Sequence, residues 1–144
     1  EKATELGVAR LQPVITERTI VERVKQERLA AQIVEACEQC GRTALPDLAD
    51  PVKLPQLLKD WPAGRALLFA DEAGGAPFAT IAAPAPAAIL TGPEGGFTDR
   101  ERAMLIDHDA VTRIALGPRI LRAETAAIAA TALWMAQHGD WRGG

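Results

Sequence analysis

Serine, tyrosine and asparagine are absent from all 144 residues, and only two histidines, His108 and His138, are present. The first absence excludes a serine nucleophile, and the scarcity of imidazole leaves few candidates for a histidine general base. The two cysteines, Cys37 and Cys40, are too few for a four-ligand zinc site, so no metal is expected. Their C-E-Q-C spacing resembles a redox pair, but it lies inside a helical pattern with no strand and turn before it. It reads as two reduced thiols on one helix. No apolar run reaches the roughly 18–20 residues of a membrane span, and no signal peptide is visible. Lysine is scarce as well. Twelve of the sixteen cationic residues are arginine, which suits planar contacts to phosphate or carboxylate. Net charge is −3, so electrostatics alone does not point to a nucleic-acid binder.

What is present is a chain with 48% hydrophobic residues, enough to bury a core, and of a length that fits one domain at ~100–200 residues each. The expected class is a soluble cytoplasmic α/β domain. Glu1 to Leu6 has helical composition and Gly7 stops it, so the chain begins as if inside a helix. Arg10 to Thr16 reads as a strand. Glu22 to Gln39 reads as a long amphipathic helix, with Val24, Leu29, Ile33, Val34 and Cys37 on its apolar side and Gly41 as its stop. Thr43 to Pro62 is a proline-punctuated connection with one short helix near Leu54 to Lys59. Arg65 to Ala70 is a second strand, and Ala73 to Pro86 a Gly/Pro/Ala-rich loop with at most a weak helical turn. Ala87 to Thr91 is a third strand. Thr98 opens a helix through a T-D-R-E capping box with Glu101. Val111 to Leu116 is a fourth strand, and the last helix runs from about Leu121 to Gln137. Strands alternating with helices imply a largely parallel sheet covered on both faces.

Two loops share one design. T-G-P-E-G-G-F at 91–97 and L-G-P-R-I-L-R-A-E-T at 116–125 each follow a short apolar strand, open with Gly-Pro and feed a helix. Ligands of open α/β sheets sit outside the carboxyl ends of strands, so both loops belong on the binding edge. Their glycines permit close backbone approach to a ligand, although tight strand-to-helix turns would show the same pattern. Neither loop is a P-loop or G-x-G-x-x-G, which disfavours phosphate cradling. The final helix carries no charge from Thr125 to Ala136. A helix apolar all round must be buried, either in a monomer core or with one face against a partner subunit, which the small size of the domain favours.

The E-K-A-T-E-L-G-V opening, P-V-I-T-E-R at 13–18, E-Q-C-G-R at 38–42, L-T-G-P-E-G-G-F at 90–97 and L-G-P-R-I-L-R-A-E-T-A at 116–126 resemble the ribosomal RNA small subunit methyltransferase E family, in order and over nearly the whole chain. The family belongs to the SPOUT superfamily, so the resemblance implies an α/β knot domain over 1–144 with a mostly parallel sheet and a C-terminal trefoil knot. It implies a homodimer that uses S-adenosyl-L-methionine to methylate N3 of a uridine in 16S rRNA of the 30S subunit. Leu90, Gly92, Glu94 and Gly95 of the first loop, Leu116, Gly117, Ile120 and Leu121 of the second, and Phe69 would line the cofactor pocket. Cys40 stands where the family commonly has serine. The family's N-terminal PUA-like RNA-binding domain and the first strand of its catalytic domain are expected to be absent from this chain.

Uridine N3 is a weakly acidic imide nitrogen that must lose its proton to attack. Arg122 and Glu124 are the candidate catalytic pair: the guanidinium to stabilise the imide anion, the carboxylate to accept the proton. A first-turn acid such as Glu124 also simply favours a helix N-terminus. Arg18, Arg42 and Arg119 are candidate RNA contacts, and Arg113, Arg119 and Arg122 form the one local basic patch. Two other readings stay open: a different SPOUT RNA methyltransferase acting on tRNA or a ribose hydroxyl, and a non-catalytic dimeric module that binds cofactor or RNA.

Overall fold

The structure is a computed structural model that describes residues 1–19, 24–83 and 86–143. Its centre is a four-stranded, all-parallel sheet of β5 (Ala66–Ala70), β6 (Ala76–Pro77), β7 (Ala87–Leu90) and β8 (Val111–Ala115), in the spatial order β6-β8-β5-β7. β5 is the hub because its apolar run can face cover on both sides. Leu67 and Phe69 point to one layer, where they pack with Leu54 and Leu58 of α3 (Leu54–Lys59) and Leu105 of α4 (Asp99–Ile106). Leu68, between them, points to the other, against Phe78, Ile81 and the Ala130 and Trp134 side chains of α5 (Ala123–Gln137). The period-2 alternation of one short strand thus builds both halves of the core. Each fully buried leucine contributes about 1.5–3 kcal/mol of burial free energy.

Several expected elements change in detail. The strand expected over Arg10 to Thr16 is two dipeptide strands, β1 (Arg10–Leu11) and β2 (Val14–Ile15), separated by Gln12 and Pro13. Pro13 has no N–H to give a ladder, and the Gln12 side chain fills the break by donating to the carbonyls of Asp50 (2.7 Å) and Pro13 (3.0 Å). Their parallel partners, β3 (Asp47–Leu48) and β4 (Val52–Lys53), lie in the stretch read only as a connection. Two-residue strands flanked by Pro46 and Pro51 show no periodicity to read. The Gly/Pro/Ala segment read as a loop contains β6 and a 3-10 turn at Phe78–Thr80. Gly75 permits this by lying flat on β8, since a Cβ there would fall 2.7 Å from the Arg113 carbonyl.

The remaining helices are α1 (Lys2–Glu5) and α2 (Gln26–Cys40), the latter ending before Gly41 as expected. The expected start of α2 at Glu22 lies outside the described residues, and Val24 and Lys25 are not helical. Its buried face is narrower than expected: Ile33, Ala36 and Cys37 are inside, while Val34 is exposed. Cys37 and Cys40 are separate thiols on this one helix. Among the described residues no helix is long and apolar enough to cross a membrane.

Candidate cofactor and substrate site

The strand order places the two Gly-Pro loops on either side of β5. Loop 91–97 leaves the carboxyl end of β7, loop 116–122 that of β8, and both strands run parallel to β5 and pair with it directly. Because β7 and β8 lie on opposite sides of β5, the two loops face each other across its carboxyl end, the edge where ligands of open α/β sheets sit. Phe69 lies near this end of β5, in register with Leu90 on one side and Arg113 on the other. Both Phe69 and Leu90 are buried.

The first loop is held by its own chain. Phe97 turns back edge-on to Phe69, with ring centroids 5.3 Å apart and planes at 80°, a favoured aromatic geometry. Arg18 Nη1 donates to the carbonyls of Gly95 (3.1 Å) and Phe97 (3.5 Å), and the Gly96 amide donates to the Pro93 carbonyl. The capping box is formed as expected: Thr98 Oγ1 accepts from the Glu101 amide, and the Glu101 carboxylate accepts from the Thr98 amide. That buried carboxylate also accepts from the Glu17 amide at 2.8 Å, clipping the 13–18 segment to the start of α4. Gly92 also has a neighbour within its own loop. A Cβ at Gly92 would meet the Phe97 ring at 3.0 Å, so a larger residue there would make the loop's own aromatic shift. Glu94 and Gly95 are exposed.

The second loop is open. Gly117, Pro118, Arg119 and Ile120 are exposed, Ile120 by 77%, and Leu116 and Leu121 are half-buried. The amides of Gly117, Arg119, Ile120 and Leu121 donate to no other described residue. Gly117 sits at φ +114°, a conformation L side chains rarely adopt, and a Cβ there would meet nothing within 4 Å. Arg122 is the N-cap of α5, and Glu124 lies in its first turn. Both are exposed.

The candidate RNA contacts divide. Arg119 is exposed and has no partner among the described residues, but Arg42 Nη1 is spent on the carbonyls of Thr4 (2.7 Å) and Val8 (3.0 Å), where it satisfies the end of α1. Arg18 is spent on the first loop. Arg113 leaves the basic patch altogether, because its Nε donates to Asp71 at 2.7 Å. Asp71 and its second partner Arg102 were not singled out by sequence; they are 31 residues apart and no local pattern joins them. Burial pushes the Asp71 carboxyl up, but the donors from Arg102, the Ala73 amide and Arg113 outweigh it. The net effect holds the carboxyl below its ordinary value of 3.8.

Residues 1–135 match the family described as the RNA methyltransferase domain. The ribosomal RNA small subunit methyltransferase E of Rickettsia conorii is 34% identical over 90% of this chain and 54% of its own length. The protein of that name from Synechocystis is 38% identical over 90% of this chain and 45% of its own. The chain thus spans about half the length of these curated relatives. The Neisseria gonorrhoeae ribosomal RNA small subunit methyltransferase E, solved bound to S-adenosyl methionine, superposes with a TM-score of 0.83 at 34% identity, covering 97% of this chain and 60% of that one. A Legionella pneumophila protein solved in complex with its cofactor SAM superposes with a TM-score of 0.80 at 38% identity, covering 94% of this chain and 58% of that one. The resemblance carried by the two Gly-Pro motifs therefore holds across the fold, and the chain belongs to the RNA methyltransferase domain family.

Proposed function

We propose that residues 1–144 form the SPOUT catalytic domain of a methyltransferase that uses S-adenosyl-L-methionine to methylate N3 of a uridine in 16S rRNA of the 30S subunit, in the cytoplasm. One observation carries this reading: two matched Gly-Pro loops leave β7 and β8, the strands on either side of β5, and face each other across its carboxyl end beside buried Phe69. The residues suit an adenosine-bearing ligand. The amides at 117 and 119–121, which meet no acceptor among the described residues, can read its polar edge, and Leu116, Ile120 and Leu121 can enclose its faces. Glycine at 117 leaves the space beside that backbone empty. Two solved relatives are named as bound to this cofactor. A C-terminal trefoil knot is part of the proposal, with α5 packed against β7, the strand before the first loop.

When bound, the cofactor supplies an activated methyl group. The chain's own task is to hold a uridine beside it and to manage one proton. Arg122 and Glu124 stand at the mouth of α5, directly after the second loop and open to solvent. Glu124 would take the N3 proton, and Arg122 would stabilise the imide anion that remains. With Arg18 and Arg42 engaged internally, Arg119 is the remaining candidate for phosphate.

A homodimer completes the proposal. Ala130, Thr131 and Trp134 bury one face of α5, while Thr125, Ile128, Leu133 and Ala136 leave an uncharged opposite face exposed. A second copy can cover that face. Ile128→Glu should then yield a folded monomer by sedimentation, whereas an unmodified chain that sediments as a monomer at micromolar concentration overturns the dimer.

The activity is tested by transfer of tritiated methyl to 30S subunits that lack the modification, followed by reverse-transcription mapping. Arrest at a single uridine of 16S rRNA is the expected result. Label in tRNA or on a ribose hydroxyl would replace the substrate assignment, and no transfer at saturating cofactor would overturn it.

A further inference from the structure

Asp71 follows β5 directly, and its side chain is 2% exposed. A carboxylate taken out of water needs donors, and removing them leaves an uncompensated buried charge. This one has four bonds: from Arg102 Nη2 (2.9 Å) and Nε (3.3 Å), from Arg113 Nε (2.7 Å), and from the Ala73 amide (3.0 Å). The two arginines belong to different elements. Arg102 is on α4, which opens at Thr98 immediately after the first Gly-Pro loop, and Arg113 is on β8, four residues before Gly117. A single carboxylate at the end of the hub strand therefore ties down the exit of one loop and the entry of the other.

We propose that Asp71 is a positioning residue that sets the two Gly-Pro loops relative to each other across the end of β5, and thereby the affinity for the cofactor. The cofactor half of this rests on the function proposed above; the coupling of the loops does not. Neither arginine touches the ligand in this scheme, and both act through the carboxylate. The planar fork of Arg102 fixes direction as well as distance, which a point charge would not.

Asp71→Asn keeps the shape and removes the charge. In the unliganded protein it should move the backbone amide resonances of both Gly92–Gly96 and Gly117–Leu121. Arg102→Gln should move only the first set, and Arg113→Gln only the second. Calorimetry with S-adenosylhomocysteine should show affinity lowered about tenfold in Asp71→Asn. The double variant Asp71→Asn/Arg102→Gln should lose no more than Asp71→Asn alone, because the arginine has nothing left to act through. A lower Tm with unchanged affinity and unmoved loop resonances would show a purely structural ion cluster and overturn the proposal. Should Asp71→Asn fail to fold, Arg102→Lys and Arg113→Lys keep the neutralising charge and lose the fork. They must then show the same loop-by-loop pattern, and its absence overturns the coupling equally. If the unmodified chain binds no S-adenosylhomocysteine while the resonance pattern holds, the cofactor reading fails and the coupling stands.

Discussion

The two Gly-Pro loops are close relatives in sequence and opposites in mechanics. The first is fastened by its own chain: Phe97 lies edge-on to Phe69, Arg18 holds two of its carbonyls, and a complete capping box starts the next helix. The second has an exposed tip, a glycine at φ +114° and amides that meet no described residue. One motif therefore serves two roles. In the proposed site the first loop would be a preformed wall, and the second would offer a ligand amides that meet no acceptor among the described residues. A preformed wall lowers the ordering cost of binding, while free donors supply its polar contacts.

The largest expected way to break that contrast is Phe97→Ala. It removes the ring that packs the first loop onto Phe69, and should cost about 3 kcal/mol of stability in urea unfolding. Gly117→Val comes next. A β-branched residue at that φ stores about 1–3 kcal/mol of strain, and it should abolish S-adenosylhomocysteine binding by calorimetry in a protein that still folds. Gly92→Val acts by another route, through the Phe97 ring 3.0 Å from the new Cβ. It should therefore lower Tm together with affinity.

Acid sharpens the comparison at the point where both loops are anchored. The Asp71 carboxyl is held below its ordinary value in the folded chain, so its contribution is fully present above pH 3.8. That contribution is lost as pH falls through the lower folded value. Asp71→Asn should thus flatten the acid limb of the stability curve below about pH 4 and leave its shape near neutrality unchanged. Arg18→Ala should cost less than about 1 kcal/mol, since its bonds are at the surface. It should nevertheless quicken amide exchange at Gly96 and leave loop 116–122 as it was. Smallest of all is Ile120→Ala, within about 0.5 kcal/mol of the unmodified stability. Its effect should appear only as weaker cofactor binding.

Sequence patterns found the long elements and the two loops because each has a local signature: apolar strand, Gly-Pro, helix cap. They missed β3 and β4, whose pairing with β1 and β2 is a property of chain segments far apart, and β6, hidden among glycine, proline and alanine. The same limit divides the site residues. Leu90, Gly117 and Glu124 are candidates named by motif position alone, while the occupations of Arg18, Arg42 and Arg113 depend on which carbonyl or carboxylate the fold brings near. An arginine in a sequence advertises a charge but not its partner. Buried Asp71 was silent for the same reason, since its donors come from 31 and 42 residues away.

Amide exchange measured with and without saturating S-adenosylhomocysteine tests the asymmetry of the loops and the cofactor assignment together. Slow exchange at Gly96 in both states is expected, with Gly117, Arg119, Ile120 and Leu121 exchanging freely alone and becoming protected in the complex. Protection of the second loop without ligand, or no change in it at saturation, would contradict the division of roles between the two loops.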